Sequence, residues 1–525
     1  LKSILATFAT VLVVFLSVMT ALGLAGWLGI QLTVPSSITP VIILTLAIAD
    51  SIHILMTFIQ KMQSGMEKLP ALKESMRLNL QPVFLTSFTT IIGFLCLNFS
   101  DSPPIHDLGN ITAMGVVAAF IYSVLLLPIF IIIVPFRFKK KDLNNTTLMD
   151  RLSAFVIRRY KPILIGMTVF TILMLSLIPS IRIDDQFVDY FDHSIPFRSD
   201  TDYITDHLTG IYQIEYSLDA DFPGGISEPD YLNKVESFAN WFREKPGVIH
   251  VSSFTDIMKR LNRTMNGDDD TFYKIPSVRE LAAQYLLLYE LSLPFGLDLN
   301  NQINIDKSST RFSVTVDKIP SSELKALSAE GEAWLRDNGG ENLVAEGSSP
   351  ALMFSHISVR NIEGMVKGTL FALVLITISM MIALKSVRYG LISLIPNVVP
   401  IILAFGLWRI VNGQIGFTVS TVAATTIGII VDDSVHFLSK YLRAQREHQL
   451  DAEEAVTFSF KNVGIALLAT SVILVCGFAI LSQSSFYPNQ AMGILSAITI
   501  AMALFADFLL LPAALIYFDK KKETK

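Results

Sequence analysis

The chain has 525 residues, of which 51% are apolar and only 17% charged, and its mean hydropathy is +0.51. A soluble chain of this size carries about a quarter charged residues, so a wholly soluble, a disordered or a nucleic-acid-binding protein is excluded. The formal net charge of -5, from 41 basic and 46 acidic residues, hides a division along the chain, and the two cysteines, Cys96 and Cys476, lie in apolar runs and offer neither a disulfide framework nor a metal-type spacing.

In chain order, ten segments are long and apolar enough to span a bilayer, where a helix of roughly 20 residues must satisfy its own backbone. They are 4–30, 36–59, 80–99, 109–135, 162–180, 368–384, 391–411, 417–438, 463–484 and 490–517. If they alternate, one set of connections holds 23 Lys and Arg: Lys2, the 60–79 loop, the 136–161 linker, Lys385 with Arg388, the 439–462 loop and the Lys520–Lys525 tail. The opposite short loops hold none. Basic loops mark the cytoplasmic side, which predicts a cytoplasmic location for both ends of this chain. The linker, with its cluster Arg137 and Lys139 to Lys141, reads either as a surface-lying amphipathic helix or as a charged connector.

The expected division is therefore 1–135, a first repeat of four spans; 136–161, a cytoplasmic linker; 162–180, a span; 181–367, a domain outside the membrane; 368–517, a second repeat of five spans; and 518–525, a basic tail. The outer region carries 17 basic and 30 acidic residues. Its alternating stretches predict strands at 213–220, 248–253, 310–317 and 342–347, with helices at 230–245 and 321–336 between them. Strand–helix–strand twice over reads as an α/β domain of the ferredoxin-like kind.

The chain also repeats itself. Leu1-Lys2-Ser3 recurs as Leu384-Lys385-Ser386 and Asp50-Ser51-Ile52-His53 as Asp433-Ser434-Val435-His436, at an offset of 383. At an offset of 384, Thr86-Ser87 matches Thr470-Ser471, Gly93-Phe94 matches Gly477-Phe478, and Leu125-Leu126-Leu127-Pro128 matches Leu509-Leu510-Leu511-Pro512. Six spans separate equivalent positions, an even number, so the halves are parallel repeats. The second repeat opens with a span, an outer domain and another span that the first lacks. By this reading the chain is a fragment of a twelve-span protein with two outer domains.

Ionisable side chains at bilayer depth are costly, and each is by default a functional candidate. Asp50 and His53 lie in the second span; Asp432, Asp433 and His436 lie at the equivalent place in the eighth. Spacings of three and four residues share a helix face, which suits proton exchange, so these five are read as a proton relay. Thr86, Ser87, Thr89, Thr90, Thr470 and Ser471 in neighbouring spans are the candidate supporting hydroxyls. Asp507 has Ser123 as its counterpart, so symmetry does not single it out; Arg409 reads as snorkelling, and Trp27 and Trp408 as interface anchors. Asp432 with His436 falls short of a closed metal site, and no metal is expected.

Gly428-Ile-Ile-Val-Asp432-Asp433-Ser-Val-His436, followed by Thr470-Ser471, resembles the intramembrane motif of the resistance-nodulation-division (RND) superfamily. The likeness is to its MMPL-type branch of exporters, which is related to Patched and to sterol-sensing domains. The resemblance implies an α-helical polytopic membrane protein with an extracytoplasmic ferredoxin-like porter domain. It implies a proton-motive-force-driven exporter of hydrophobic or amphiphilic, lipid-like molecules in a bacterial-type inner membrane. Such a protein is not an enzyme and needs no cofactor beyond the proton gradient. Its partners are the substrate and membrane lipids, not nucleic acid, and a homo-oligomer stays open. By resemblance Asp50, Asp432 and Asp433 carry protons, with His53 and His436 as partners. Ala49 stands where the second repeat has Asp432, so the halves need not carry protons equally. The alternative is a non-transporting sterol- or lipid-sensing receptor or scaffold.

Overall fold

The computed structural model describes residues 3–136, 148–294, 296–340 and 343–523. Lys2, the cluster Arg137 with Lys139 to Lys141, Asn342 and Lys525 lie outside them. The chain divides into a helical unit, residues 1–182 with 359–525, and an α/β unit, Ile183–Ser358.

The first repeat contains α1 (Ile4–Trp27), α2 (Thr39–Gln63), α3 (Lys68–Leu95), and α4 (Pro103–Ile121), which runs through one π turn (Tyr122–Leu126) into α5 (Leu127–Ile133). α6 (Leu148–Leu177) then takes in the second half of the expected linker and is kinked there, with non-helical φ/ψ at Arg159. Pro162 explains the kink, because its ring removes an N–H and crowds the carbonyl four residues back, that of Arg158.

In the α/β unit, α7 (Pro196–His207) precedes strand β1 (Tyr212–Asp219), and α8 (Pro229–Arg243) links it to β2 (Val248–Ser252). α9 (Phe254–Met265) and α10 (Arg279–Ser292) lead to β3 (Ser309–Val316), and α11 (Ser321–Asn338) follows. The sheet order is β1–β3–β2, every pair antiparallel. Alternate residues Ile214, Tyr216 and Leu218 of β1 face a core shared with Phe312 and Val314 of β3 and Phe238 and Phe242 of α8. The strand expected at 342–347 does not form among the described residues. Instead Ser348 makes one antiparallel bridge with Glu215 on the free side of β1. Ala345, Glu346 and Gly347 are poor strand formers, and Pro350, which cannot donate, already opens the next helix. The described sheet thus has three strands, with one bridge beside β1 where the ferredoxin-like reading expects a fourth.

The α8–α9 pair is held by a charge network. Arg243 grips Asp256 through two bonds of 2.9 and 2.8 Å, and Lys259, nearly buried, reaches Glu236 at 2.6 Å and Asp256 at 3.1 Å. Burial opposes the charge on Asp256, but the Lys259 hydrogen bond and the Arg243 charge outweigh it and hold its pKa below the ordinary 3.8. Burial likewise opposes the charge on Lys259, and its bonds to Glu236 and Asp256 hold its pKa above 10.5. A lowered carboxylate stabilises above its unfolded pKa and is lost as pH falls; a raised ammonium stabilises below its unfolded pKa and is lost as pH rises. Hydrogen exchange of this unit in the full chain should therefore show a plateau of protection, falling away below pH 3.8 and above pH 10.5. Lys259→Met, which takes one cation from two carboxylates that Arg243 still contacts, should cost about 1–3 kcal/mol across that plateau.

α12 (Pro350–Ala383) returns the chain to the helical unit, starting well before the span expected at 368. It is followed by α13 (Val387–Ile392), α14 (Leu394–Val411), α15 (Val422–His448), α16 (Ala452–Ile480), α17 (Tyr487–Phe505), a second π turn (Ala506–Leu510) and α18 (Leu511–Glu523). Among the described residues, ten helical segments are long and apolar enough to cross a membrane. The repeated sequence motifs have physical roles. Ser3 and Ser386 each accept a backbone N–H, from Ala6 and Tyr389, and cap α1 and α13. The two Leu-Leu-Leu-Pro stretches sit at π turns in register with the repeat, because a proline without an N–H disturbs the ladder just upstream. α15 is buried on nearly every face although it carries Thr425, Thr426, Asp432, Asp433, Ser434, His436 and Lys440. It is the polar centre of an apolar bundle.

Candidate functional site

α2 and α15 occupy equivalent places in the two repeats, and each buries its ionisable groups within the bundle. Asp50, His53, Asp432, Asp433 and His436 are all less than a tenth exposed. The rings of His53 and His436 stack face to face across the repeat boundary, centroids 3.7 Å apart and planes 7° apart. Asp432 lies against both: its Oδ1 is 3.5 Å from His436 Nε2 and its Oδ2 4.0 Å from His53 Nε2. The first repeat's histidine thus meets the second repeat's acid, a pairing that spacing within one helix does not reveal.

Asp50 and Asp433 are held separately, each within its own repeat and in the same manner. Ser87 Oγ donates to Asp50 Oδ2 at 3.3 Å, and Ser471 Oγ to Asp433 Oδ2 at 2.6 Å. The threonine hydroxyls behave otherwise. Thr86 donates to Val83 O, Thr89 to Leu85 O, and Thr470 to Ala466 O, although Thr86 and Thr470 also lie beside Asp432 and Asp433. Back-bonding to the preceding turn is the usual fate of a buried threonine in a helix. Thr90 spans the repeats, donating to Gly428 O at 2.7 Å.

Asp507 belongs with this group, contrary to the symmetry argument against it. It is fully buried and accepts a 2.7 Å hydrogen bond from Ser434, the residue after Asp433. Its counterpart Ser123 lies 3.4 Å from Ser51, the counterpart of Ser434, so the contact is symmetric while the chemistry is not. The π turns swing both side chains inward, and an acid on such a turn is the signal that would have found Asp507. Asp507→Ala should lower stability by about 0.5–1.5 kcal/mol, the net worth of the lost hydrogen bond, since the Ser434 hydroxyl keeps Asn397 Oδ1 at 3.3 Å as a second acceptor. Asp507→Asn, which keeps an acceptor, should recover most of that loss in the unfolding midpoint.

Asp432 Oδ1 and both ring nitrogens of His436 make no hydrogen bond to another described group. Buried polar atoms are nearly always satisfied, so this set has unused capacity to take up or give protons. His53, Asp432 and His436 can also hold a metal ion by donor type, their ligand atoms lying within 4.8 Å of one another. The ring planes are parallel, however, so the in-plane lone pairs of the two imidazoles do not converge. Both rings would have to swing out of the stack to share one ion.

One assignment outside the cluster changes. Trp408 is not an interface anchor: it is buried and donates to Gln414 O at 2.7 Å. Arg409 is held by Ser180, Nε to Oγ, at 2.8 Å.

Residues 302–524 match the MMPL family model, and residues 1–133 match the Patched SSD model, so the two models fall on the two repeats. The crystal structure of SecDF in its super-membrane-facing form superposes with a TM-score of 0.59 at 12% identity, over 98% of this chain and 59% of that one. A likeness at that identity is one of fold, and the chain spans 59% of the length of that structure. The comparison with curated proteins gives no match.

Proposed function

We propose that this chain, whose residues 302–524 match the MMPL model and whose residues 1–133 match the Patched SSD model, works as an RND-type, proton-motive-force-driven secondary transporter that exports hydrophobic or amphiphilic, lipid-like molecules. The observation that carries this reading is the buried set of His53, His436 and Asp432, built from one residue of the first repeat and two of the second. Two like charges about 4 Å apart repel by about 4 kcal/mol at an effective dielectric of 20. The stacked rings therefore accept one proton between them far more readily than two. A proton taken up by Asp432 removes the charge that draws both rings inward, and its release restores that charge. Because the attraction runs across the repeat boundary, each protonation change alters the force between α2 and α15, which is what rocking of two repeats requires. Asp50 and Asp433, each with its serine, extend the relay on either side, and Asp507 joins it through Ser434. No bond of the substrate is made or broken, so the protein is not an enzyme and needs no cofactor but the gradient.

The α/β unit supports an amphiphilic substrate. It has a cleft of about 310 Å³ lined chiefly by apolar groups, among them Phe187, Val188, Ile319, Leu324 and Phe354, with Gln186, Gln213 and Glu215 as polar groups in the lining. Pockets of this size and lining suit an apolar chain with one polar end. In this reading the membrane is a bacterial-type inner membrane; the basic loops support a cytoplasmic side for both chain ends and an outer side for the α/β unit.

The test uses proteoliposomes containing a fluorescently tagged phosphatidylethanolamine and a pH dye. An imposed pH gradient should drive both probe movement and proton flux, and a protonophore should stop both; probe movement indifferent to the protonophore overturns the reading. The Patched SSD match over residues 1–133 favours a second reading, a sterol- or lipid-sensing receptor. Saturable binding of a sterol probe with no proton flux would select it.

A further inference from the structure

At the end of the spans where the basic loops gather, the helical unit has a cavity of about 250 Å³ between α3, the last turn of α12 and α15. Four cations surround it: Arg77, Lys440, Arg443 and Arg446, against the single carboxylate Glu447. Arg77 is held by Glu74 at 2.8 Å, and Arg443 by Glu447 at 2.6 Å. Arg446 caps the end of α12, donating to Leu384 O at 2.8 Å, and has no carboxylate partner among the described residues. Lys440 is only 7% exposed; its Nζ donates to Leu78 O at 3.1 Å, and no described carboxylate pairs with it. A buried ammonium without a counter-charge costs several kcal/mol, and two of its three N–H groups remain for a ligand. The first repeat has no such feature, since Thr57, Gln60 and Gln63 stand where the second has Lys440, Arg443 and Arg446.

We propose that this cavity binds the phosphate group of an anion, one per chain, with Lys440 as the buried anchor and Arg446 as the second cation. The cavity admits a phosphate with a small attached group and excludes acyl chains, so a lipid would insert its headgroup and leave its tails in the bilayer. Basic pockets between spans on the cytoplasmic side suit anionic headgroups, and free phosphate offers the same chemistry.

The full chain in neutral detergent is titrated with inorganic phosphate and, separately, with phosphatidylglycerol, against chloride at matched ionic strength. Unfolding midpoint and native mass spectrometry are the readouts. Either probe raising the midpoint with one anion bound per chain supports the site. Saturation by phosphate alone assigns it to the free ion, whereas phosphatidylglycerol acting where phosphate does not assigns it to lipid. Lys440→Gln should weaken binding by about tenfold, the worth of one charge-assisted hydrogen bond, and Lys440→Arg should restore it. Arg446→Gln, at an exposed position, should weaken it too, and Glu447→Gln should tighten it, which keeps the test intact if Lys440→Gln does not fold. Neither probe acting beyond chloride, or all variants binding as the wild type does, overturns the proposal.

Discussion

Replacing Asp432 with Asn should reduce gradient-driven movement of the tagged lipid to the level of protein-free vesicles while leaving the protein folded. The amide matches the carboxylate in size and can still face His53 and His436, so packing is kept. What it loses is the ability to release and regain a proton, and with it the charge that alternately draws and frees the two stacked rings. Asp433→Asn should have a similarly large effect because its Ser471 bond is short and buried; the longer Ser87 bond leaves Asp50 less tightly placed, and Asp50→Asn should cost less. Flux under an imposed pH gradient, compared with the unfolding midpoint of each variant, separates loss of coupling from loss of fold. An Asp432→Asn protein that moves lipid at the wild-type rate and still answers to the protonophore would sink the assignment.

Much of this arrangement is written locally in the chain. Each span announces itself by an unbroken apolar run, because a bilayer imposes a length and a composition on one segment at a time. The acids and histidines stand out for the same reason, as rare charges in such runs. The match between Ser87 and Ser471 is visible as a repeated Thr-Ser pair, although only the packed helices show that the serine of each pair, not the threonine alone, meets the carboxylate. The stack of His53 on His436 is not legible, since it depends on how closely two helices 383 residues apart approach. Symmetry discounts Asp507 because Ser123 is not an acid, yet both side chains are turned inward by the same π turn, a backbone feature that composition does not encode. The fourth strand fails for a local reason, the weak strand formers Ala345, Glu346 and Gly347 shortly before Pro350, and the anchor reading of Trp408 for a tertiary one, the backbone oxygen of Gln414 that satisfies its indole.

Gly93→Val should disrupt both folding and transport, because α3 and α15 touch through their backbones at this point. A Cβ on Gly93 would lie 2.9 Å from Gly428 Cα and 3.0 Å from Gly428 N, and one on Gly428 would lie 3.1 Å from both Thr90 Cα and Thr90 O. Backbone atoms cannot rotate away as a flexible side chain can, so the two helices must separate. Close approach through small residues is how spanning helices gain packing energy where no hydrophobic force draws them together. Separation would stretch the bond from Thr90 to Gly428 O and carry α15, with Asp432 and His436, away from His53 on α2. Overpacking of this kind costs about 1–3 kcal/mol, and loss of the interhelical hydrogen bond adds about 0.6 kcal/mol. A matched control distinguishes the contact from a general intolerance of glycine substitution in spans. Gly166 in α6 has no other atom within 4 Å of where its Cβ would sit, so Gly166→Ala should raise the unfolding midpoint slightly, by the helix propensity that alanine adds, about 0.5–1 kcal/mol. If Gly93→Val and Gly166→Ala shift the midpoint in the same direction and leave flux equally unchanged, the α3–α15 contact does not hold the two repeats in working register.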